Sequence, residues 1–201
     1  MFVVIEGIDG AGCETQAQEL LQRLSLKGVP NFFFKYPNYT RNIGREIQRF
    51  LYDDKDLTPH SQFLLYSLQF VIDSPTIEKK RKNGIIIADR YFSTTLCFQT
   101  IAGIPMKTAL QFADDFAIAK PDLIIFLDVE PEIARTRKTS ELKKKNWMEK
   151  DFELTQKTYK QYKSLIKSQT WARWVSVDGS GEIDPIADTI FDIIQKELDK
   201  K

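Results

Sequence analysis

Thiols and imidazoles are scarce in this chain. Two cysteines, Cys13 and Cys97, and one histidine, His60, stand among 201 residues. Two thiols give no disulfide framework and fit a reducing compartment, so a cytoplasmic protein is expected. His60 has no serine, cysteine or acid constellation beside it, and a surface or capping role is expected rather than a catalytic one. An excess of one charge is also missing. The formal net charge is +1, which leaves no global field to draw the chain to nucleic acid or to an anionic membrane. No apolar run approaches the ~20 residues needed to span a bilayer, and the N-terminus lacks the basic region and cleavage site of a signal peptide. What remains is 42% hydrophobic and 28% charged residues, the balance of an ordinary soluble globular protein. With no internal repeat and no low-complexity linker, one domain over residues 1–201 is expected.

The chain is organised around its first fifteen or so residues. The apolar run 2–5 reads as a short strand buried on both faces. Gly7, Gly10 and Gly12 follow, then a helix-forming segment over 16–26. Strand, glycine-rich turn and helix is the context in which backbone N–H groups converge on a phosphate at a helix N-terminus. The usual pattern is Gly, four residues, then Gly-Lys-Ser/Thr. Gly7 and Gly12 keep that spacing, yet Cys13 stands where lysine belongs and Glu14 where the magnesium-binding hydroxyl belongs. The backbone frame is present and two chemical groups are missing.

Farther along, 31–36 is aromatic-rich and reads as a second strand. With the first helix it makes a βαβ unit, expected as a parallel pair with a right-handed crossover. Pro37 ends it, and the loop 38–42 falls at a strand's carboxyl end, where open α/β sheets bind ligands. Residues 43–51 have a helical period. Thr58-Pro59 starts a helix that is apolar on most faces and is expected to be buried and central, with Asp73-Ser74-Pro75 interrupting it.

The β-branched run 84–88 is expected as a central parallel strand that delivers Asp89-Arg90-Tyr91 to the sheet's carboxyl edge. Asp89 has two readings, a helix N-cap or an acid holding a magnesium-bound water. Helices are expected over 92–100, 107–119, 131–138, 150–169 and 185–198, with strands over 123–129 and 171–177. Lys143, Lys144 and Lys145 lie in a polar stretch that reads as a solvated loop. The order of elements predicts a three-layer α/β domain with five parallel strands flanked by helices.

Together these segments resemble the thymidylate kinase family of nucleoside monophosphate kinases, over essentially the whole chain. Residues 2–16 are similar to that family's hydrophobic-Glu-Gly-x-Asp-Gly-x-Gly-Lys-x-Thr-Gln, with Glu6, Asp9, Thr15 and Gln16 in place. Tyr36-Pro37 with Ile43-Gly44, Leu64-Leu65-Tyr66, Asp89-Arg90-Tyr91, Thr94-Thr95-Leu96-Cys97-Phe98-Gln99 and Lys120-Pro121-Asp122-Leu123 resemble further family segments in the family's order.

The resemblance implies a P-loop fold, transfer of the ATP γ-phosphoryl group to dTMP, ATP and Mg2+ as cofactors, and a homodimer, with no nucleic-acid or membrane partner. It implies a catalytic group of Asp9, Asp89 and Arg90. The ATP phosphates would lie on Gly7, Gly10, Ala11, Gly12, Cys13, Glu14 and Thr15, with Arg137 beside them. Asp9 would meet the acceptor sugar, Tyr66 would stack on the base, and Thr95 and Gln99 would read its edge. Pro37, Arg41, Phe70 and Arg90 complete the implied acceptor site. Asp89 would hold magnesium through water, with Glu14 or Thr15 as a further ligand, and residues 138–149 would form a lid.

The departures are specific. Gln69-Phe70 stands where the family has an arginine, Tyr39 where another is common, and Trp147-Met148 precede Glu149 in the lid. Phosphoryl transfer is mostly charge placement, and one arginine contact can be worth ~10³ in rate. Lys143, Lys144, Lys145, Arg41 or Arg137 would have to compensate for the lost lysine, with Arg45 a further substitute near the acceptor. Three functions stay open on sequence: an active thymidylate kinase, an impaired nucleotide-binding module, or a kinase for another nucleotide or nucleoside. Cys13 likewise has two readings, a reactive thiolate favoured by a helix N-terminus or a small residue that fits a tight turn.

Overall fold

A computed structural model describes residues 1–53, 56–139 and 146–199. In chain order its elements are β1 (Phe2–Glu6), α1 (Cys13–Leu26), β2 (Asn31–Lys35), α2 (Asn42–Tyr52), α3 (Pro59–Lys80), β3 (Ile85–Asp89), α4 (Phe92–Ile101) and α5 (Met106–Asp115). Then come β4 (Leu123–Asp128), α6 (Pro131–Thr139), α7 (Trp147–Lys150), α8 (Phe152–Lys167), β5 (Trp174–Asp178) and α9 (Ile183–Leu198). The five strands form one sheet in the order β2-β3-β1-β4-β5, and every pairing is parallel.

The apolar runs explain the middle of that order. β1 and β3 are buried at every position and β4 at all but its last, as strands covered by helices on both faces must be. Right-handed crossovers then assign the helices. α1 packs on α9 on one face, while α3, α4 and α8 pack in succession on the other. This is the expected three-layer α/β architecture with five parallel strands. It brings the loops after β1, β2, β3 and β5 to one edge.

Several expectations need correction. β1 and β2 are parallel but not neighbours, because β3, more apolar than β2, inserts between them and pairs with both. Pro75 does not interrupt α3, which runs through it. Pro75 lies on the exposed side, where water can satisfy the carbonyl its ring leaves free, and the Ser74 hydroxyl donates to the Phe70 carbonyl at 2.6 Å. Nor is α3 buried all round, since Leu64, Leu68 and Ile72 stay exposed along it. The helix expected over 150–169 is split at Asp151, whose carboxylate caps α8 by accepting from the Leu154 N–H at 2.9 Å. β5 starts at Trp174 rather than 171, after a left-handed turn at Trp171.

A second apolar cluster sits apart from the sheet. Ile47, Phe50 and Leu51 of α2 pack with Tyr39, Leu65, Tyr66 and Met148. Gly44 allows it, because a Cβ there would lie 1.8 Å from the Asn38 carbonyl oxygen. Only glycine lets α2 start so close to the loop after β2. His60 is exposed in the first turn of α3, while the cap is Thr58, which accepts from the Ser61 N–H at 3.2 Å. Among the described residues no helix is long and apolar enough to cross a membrane.

Candidate active site

A cavity of about 790 Å³ opens at the carboxyl edge of the sheet. Its floor is the loop between β1 and α1. Gly10 and Gly12 both take positive φ, +91° and +93°, which costs a glycine nothing. A Cβ at Gly10 would also come within 2.3 Å of the Ala134 carbonyl oxygen, so the loop is pressed against α6. Gly12 is the N-cap of α1, with no side-chain cap, and nothing lies within 4 Å of where its Cβ would be. The first intrahelical bond is Gln16 N–H to Gly12 C=O at 3.0 Å. The amides of Cys13, Glu14 and Thr15 therefore precede the ladder and face the open end of a helix dipole. That cradle fits a chain of phosphates, and Gly10, Ala11, Gly12, Cys13, Glu14 and Thr15 all line the cavity.

Cys13 is buried inside the turn, its sulfur 2.9 Å from where a Cβ on Gly7 would stand. Burial pushes its thiol up, with Arg90 opposing and the neighbouring acids reinforcing. Burial thus opposes the thiolate that the helix terminus would favour, and Cys13 fits the turn as a small residue. Gly7 sits behind the cavity and gives its carbonyl to Arg90.

Arg90 is held at φ +62°, a conformation few non-glycine residues adopt and one that recurs at functional sites. Its guanidinium donates to the Gly7 carbonyl at 3.0 Å and to Asp9 Oδ1 at 2.6 Å. Two contacts from one planar fork fix its direction across the loop. Asp89, at the end of β3, is buried on the cavity wall. Burial pushes its carboxyl up to about 6, although Arg90 and Lys35 pull it down. It makes no helix cap, since the N-cap of α4 is Tyr91.

Glu6 ends β1 fully buried and gathers the site's frame. It accepts from the hydroxyls of Ser93 (2.6 Å), Thr94 (2.8 Å) and Tyr162 (2.8 Å) and from the Tyr91 N–H (3.2 Å). Burial raises its pKa against Arg90 and these hydroxyls.

Tyr66 also lines the cavity, its ring presented from α3 and supported by Phe50 at 6.4 Å between ring centroids. Pro37 and Tyr39 line the cavity too, as do Thr95 and Gln99 of α4. Gln99 Oε1 is buried with no hydrogen-bond partner, and a buried acceptor left alone is costly unless a ligand completes it. Two residues expected in the acceptor site, Arg41 and Phe70, do not line the cavity. Arg41 is drawn to Asp73, which also accepts from the Tyr36 hydroxyl. Phe70 is packed beneath the site among Tyr36, Tyr91 and Phe92, with centroids 4.8, 4.9 and 5.9 Å away.

Arg137 lines the third side. It donates to the carbonyls of Gly179 and Ser180, each at 2.8 Å, and so joins α6 to the turn after β5. At the ends of the segment expected as a lid, Lys138 pairs with Glu149, and Asn146 and Glu149 form a reciprocal capping box. Lys143, Lys144 and Lys145, the lid cations expected to compensate, lie outside the described residues.

The sequence reading missed three contributors. The turn Gly179-Ser180-Gly181 lines the cavity but was legible only as a turn. Glu6 was legible as a motif residue without its hydroxyl partners. Lys35, the last residue of β2, lines the cavity and forms an ion pair with Glu14. Its signal was its place, since a lysine at the carboxyl end of a parallel strand points to the ligand edge.

For magnesium, Asp89, Glu14 and Thr15 supply two carboxylates and a hydroxyl on the cavity wall. Among the described residues there is no group of three or more His, Cys, Asp or Glu that could hold a metal. The two carboxylates match the donor set of magnesium, which is usually held by one or two carboxylates together with substrate phosphates.

Comparison with known proteins fits this geometry. The family described as Thymidylate kinase matches residues 5–190. A thymidylate kinase of Danio rerio is 28% identical over 96% of this chain and 88% of its own length. The human thymidylate kinase is 26% identical over 94% of this chain and 87% of its own length. A probable thymidylate kinase of Methanococcus maripaludis is 33% identical over 84% of this chain and 78% of its own length. A match that spans nearly every element from β1 to α9, and a cavity lined by both the phosphate loop and an aromatic ring, lead to one conclusion: the chain belongs to the thymidylate kinase family.

Proposed function

We propose that this protein transfers the γ-phosphoryl group of ATP to dTMP, giving ADP and dTDP. A single observation carries the reading: Gln99, whose Oε1 is a buried acceptor without a partner, lines the same cavity as the uncapped start of α1. A ligand that spans the two has a hydrogen-bonding base edge at one end and phosphates at the other.

The ATP phosphates lie along the amides of 10–15, and the turn 179–181 with Arg137 flanks the rest of that nucleotide. The thymine ring stacks on Tyr66, with Thr95 and Gln99 at its edge and Asp9 at the sugar. Arg90 lies between the phosphates of donor and acceptor. In the reaction a dTMP phosphate oxygen bonds to the γ-phosphorus as its bond to the β–γ bridging oxygen breaks. Arg90 needs no reorganisation to stabilise the charge that develops, because Asp9 and Gly7 already fix it. Asp89, with Glu14 or Thr15, would hold magnesium, which when bound neutralises charge on the phosphates.

The partner is a second copy of the chain. Leu64, Leu68 and Ile72 follow the i, i+4, i+8 spacing of one helix face and are all exposed on α3. A cytoplasmic site of action suits the free thiols of Cys13 and Cys97.

ADP release with ATP, magnesium and dTMP, run beside dCMP, dGMP and dAMP, tests the reaction. Turnover confined to thymidylate is expected, and equal turnover with another nucleotide would replace the substrate assignment. Sedimentation at micromolar concentration tests the dimer, which Leu68→Lys should split.

A further inference from the structure

Position 13 leaves the phosphate loop without a cation, and the cavity contains one that the loop does not encode. Among the described residues Lys35, Arg90, Arg137 and Lys138 are the lysines and arginines on its wall. Three of them hold fixed partners. Arg90 is bound to Asp9 and Gly7, Arg137 bridges to the turn after β5, and Lys138 is paired with Glu149. Lys35 differs in kind. Its partner is Glu14 in the first turn of α1, one residue after Cys13, and the two side chains are 42% and 52% exposed. Its ammonium is thus one glutamate side chain away from the amides that would bind phosphate. An ion pair this exposed is worth only about 0–1 kcal/mol, so a more highly charged phosphate oxygen can draw the ammonium off Glu14 at small cost.

Strand register puts Lys35 there. It pairs with Asp89 across β2 and β3, so it ends its strand level with the acid that ends the next one. A lysine is suited to the task, as a compact charge on a flexible stem that can swing between two oxygens.

We propose that Lys35 contacts the ATP phosphates, supplying from the end of β2 the charge that Cys13 does not. This rests on the kinase reading above. Glu14 is its partner in the ligand-free protein, and release of Lys35 leaves that carboxylate facing the nucleotide.

The test measures binding of a non-hydrolysable ATP analogue, and separately of dTMP, by calorimetry. It compares the unmodified chain, Lys35→Met, Lys35→Arg and the double variant Cys13→Lys/Lys35→Met. Lys35→Met is expected to weaken the analogue at least tenfold and leave dTMP within twofold, with Lys35→Arg keeping part of the affinity and the double variant regaining it. The dTMP measurement also reports that the variants are folded. Unchanged analogue binding by Lys35→Met would overturn the proposal, as would a parallel loss of both ligands, which marks a structural role. An unmodified chain that binds dTMP but no analogue would instead sink the kinase reading itself, and this proposal with it.

Discussion

The guanidinium of Arg90 meets the carboxylate of Asp9, 81 residues earlier, at 2.6 Å, and its other arm meets the Gly7 carbonyl. Two loops from different strands are locked together by one planar group. Arg90→Lys keeps the charge and loses the fork. It should lower kcat for dTMP phosphorylation by about 10²-fold or more while the melting temperature moves little. Near-normal turnover would mean that Arg90 serves the loop rather than the reaction.

Gln99 makes the reverse kind of prediction, a loss of function without a loss of stability. Its Oε1 is buried and unpartnered, so Gln99→Leu removes a desolvated acceptor and should leave stability unchanged or raise it by about 1 kcal/mol. The KM for dTMP should rise roughly tenfold or more. Urea denaturation beside steady-state kinetics separates the two effects. A destabilised variant with normal KM would make Gln99 a packing residue.

Asp89 gives a pH dependence with a definite sign. Its carboxyl is raised from 3.8 to about 6, mainly by burial, with Arg90 and Lys35 opposing. Between those values the folded protein binds the extra proton, so this residue's contribution to stability falls as pH rises through about 4 to 6. Asp89→Asn stays neutral throughout. With chelator present and nucleotide absent, the variant should match the parent near pH 4 and exceed it by roughly 2–3 kcal/mol at pH 7. A stability difference that does not change with pH would contradict the assignment.

Cys13 and Cys97 are both buried, and burial raises both thiols. A disulfide reagent at neutral pH should find almost no reactive thiol in the native protein and two in denaturant. Rapid labelling of one thiol in the native state would restore the reactive reading of Cys13.

Gly10→Ala combines a disfavoured φ with a clash against the Ala134 carbonyl. Each such conflict costs about 1–3 kcal/mol. The variant should melt well below the parent and bind nucleotide weakly. A normal melting curve would show that the loop has room to shift off α6.

Much of the fold was legible because buried parallel strands announce themselves as unbroken apolar runs. Residues 85–88 and 123–127 needed no tertiary context. Adjacency was less legible. β1 and β2 follow each other along the chain, and only the greater apolarity of β3 over β2 hints that β3 takes the inner place. Pro75 shows how a local rule yields, since a proline on a helix's wet face need not end it. At the site, the glycines and the Asp-Arg pair could be read from spacing. The capture of Arg41 by Asp73, the sinking of Phe70 into the aromatic cluster and the arrival of Lys35 beside Glu14 depend on pairings between distant segments. Residue order does not encode those.

The uncapped, left-handed Gly12 at the head of α1 has a consequence for how such loops are recognised. Main-chain amides hold their direction whatever side chains they carry, so positions 13 and 14 are open to drift while the torsions at 10 and 12 are not. A signature spelled in residue letters excludes this chain at its last two letters; one spelled in dihedral angles admits it.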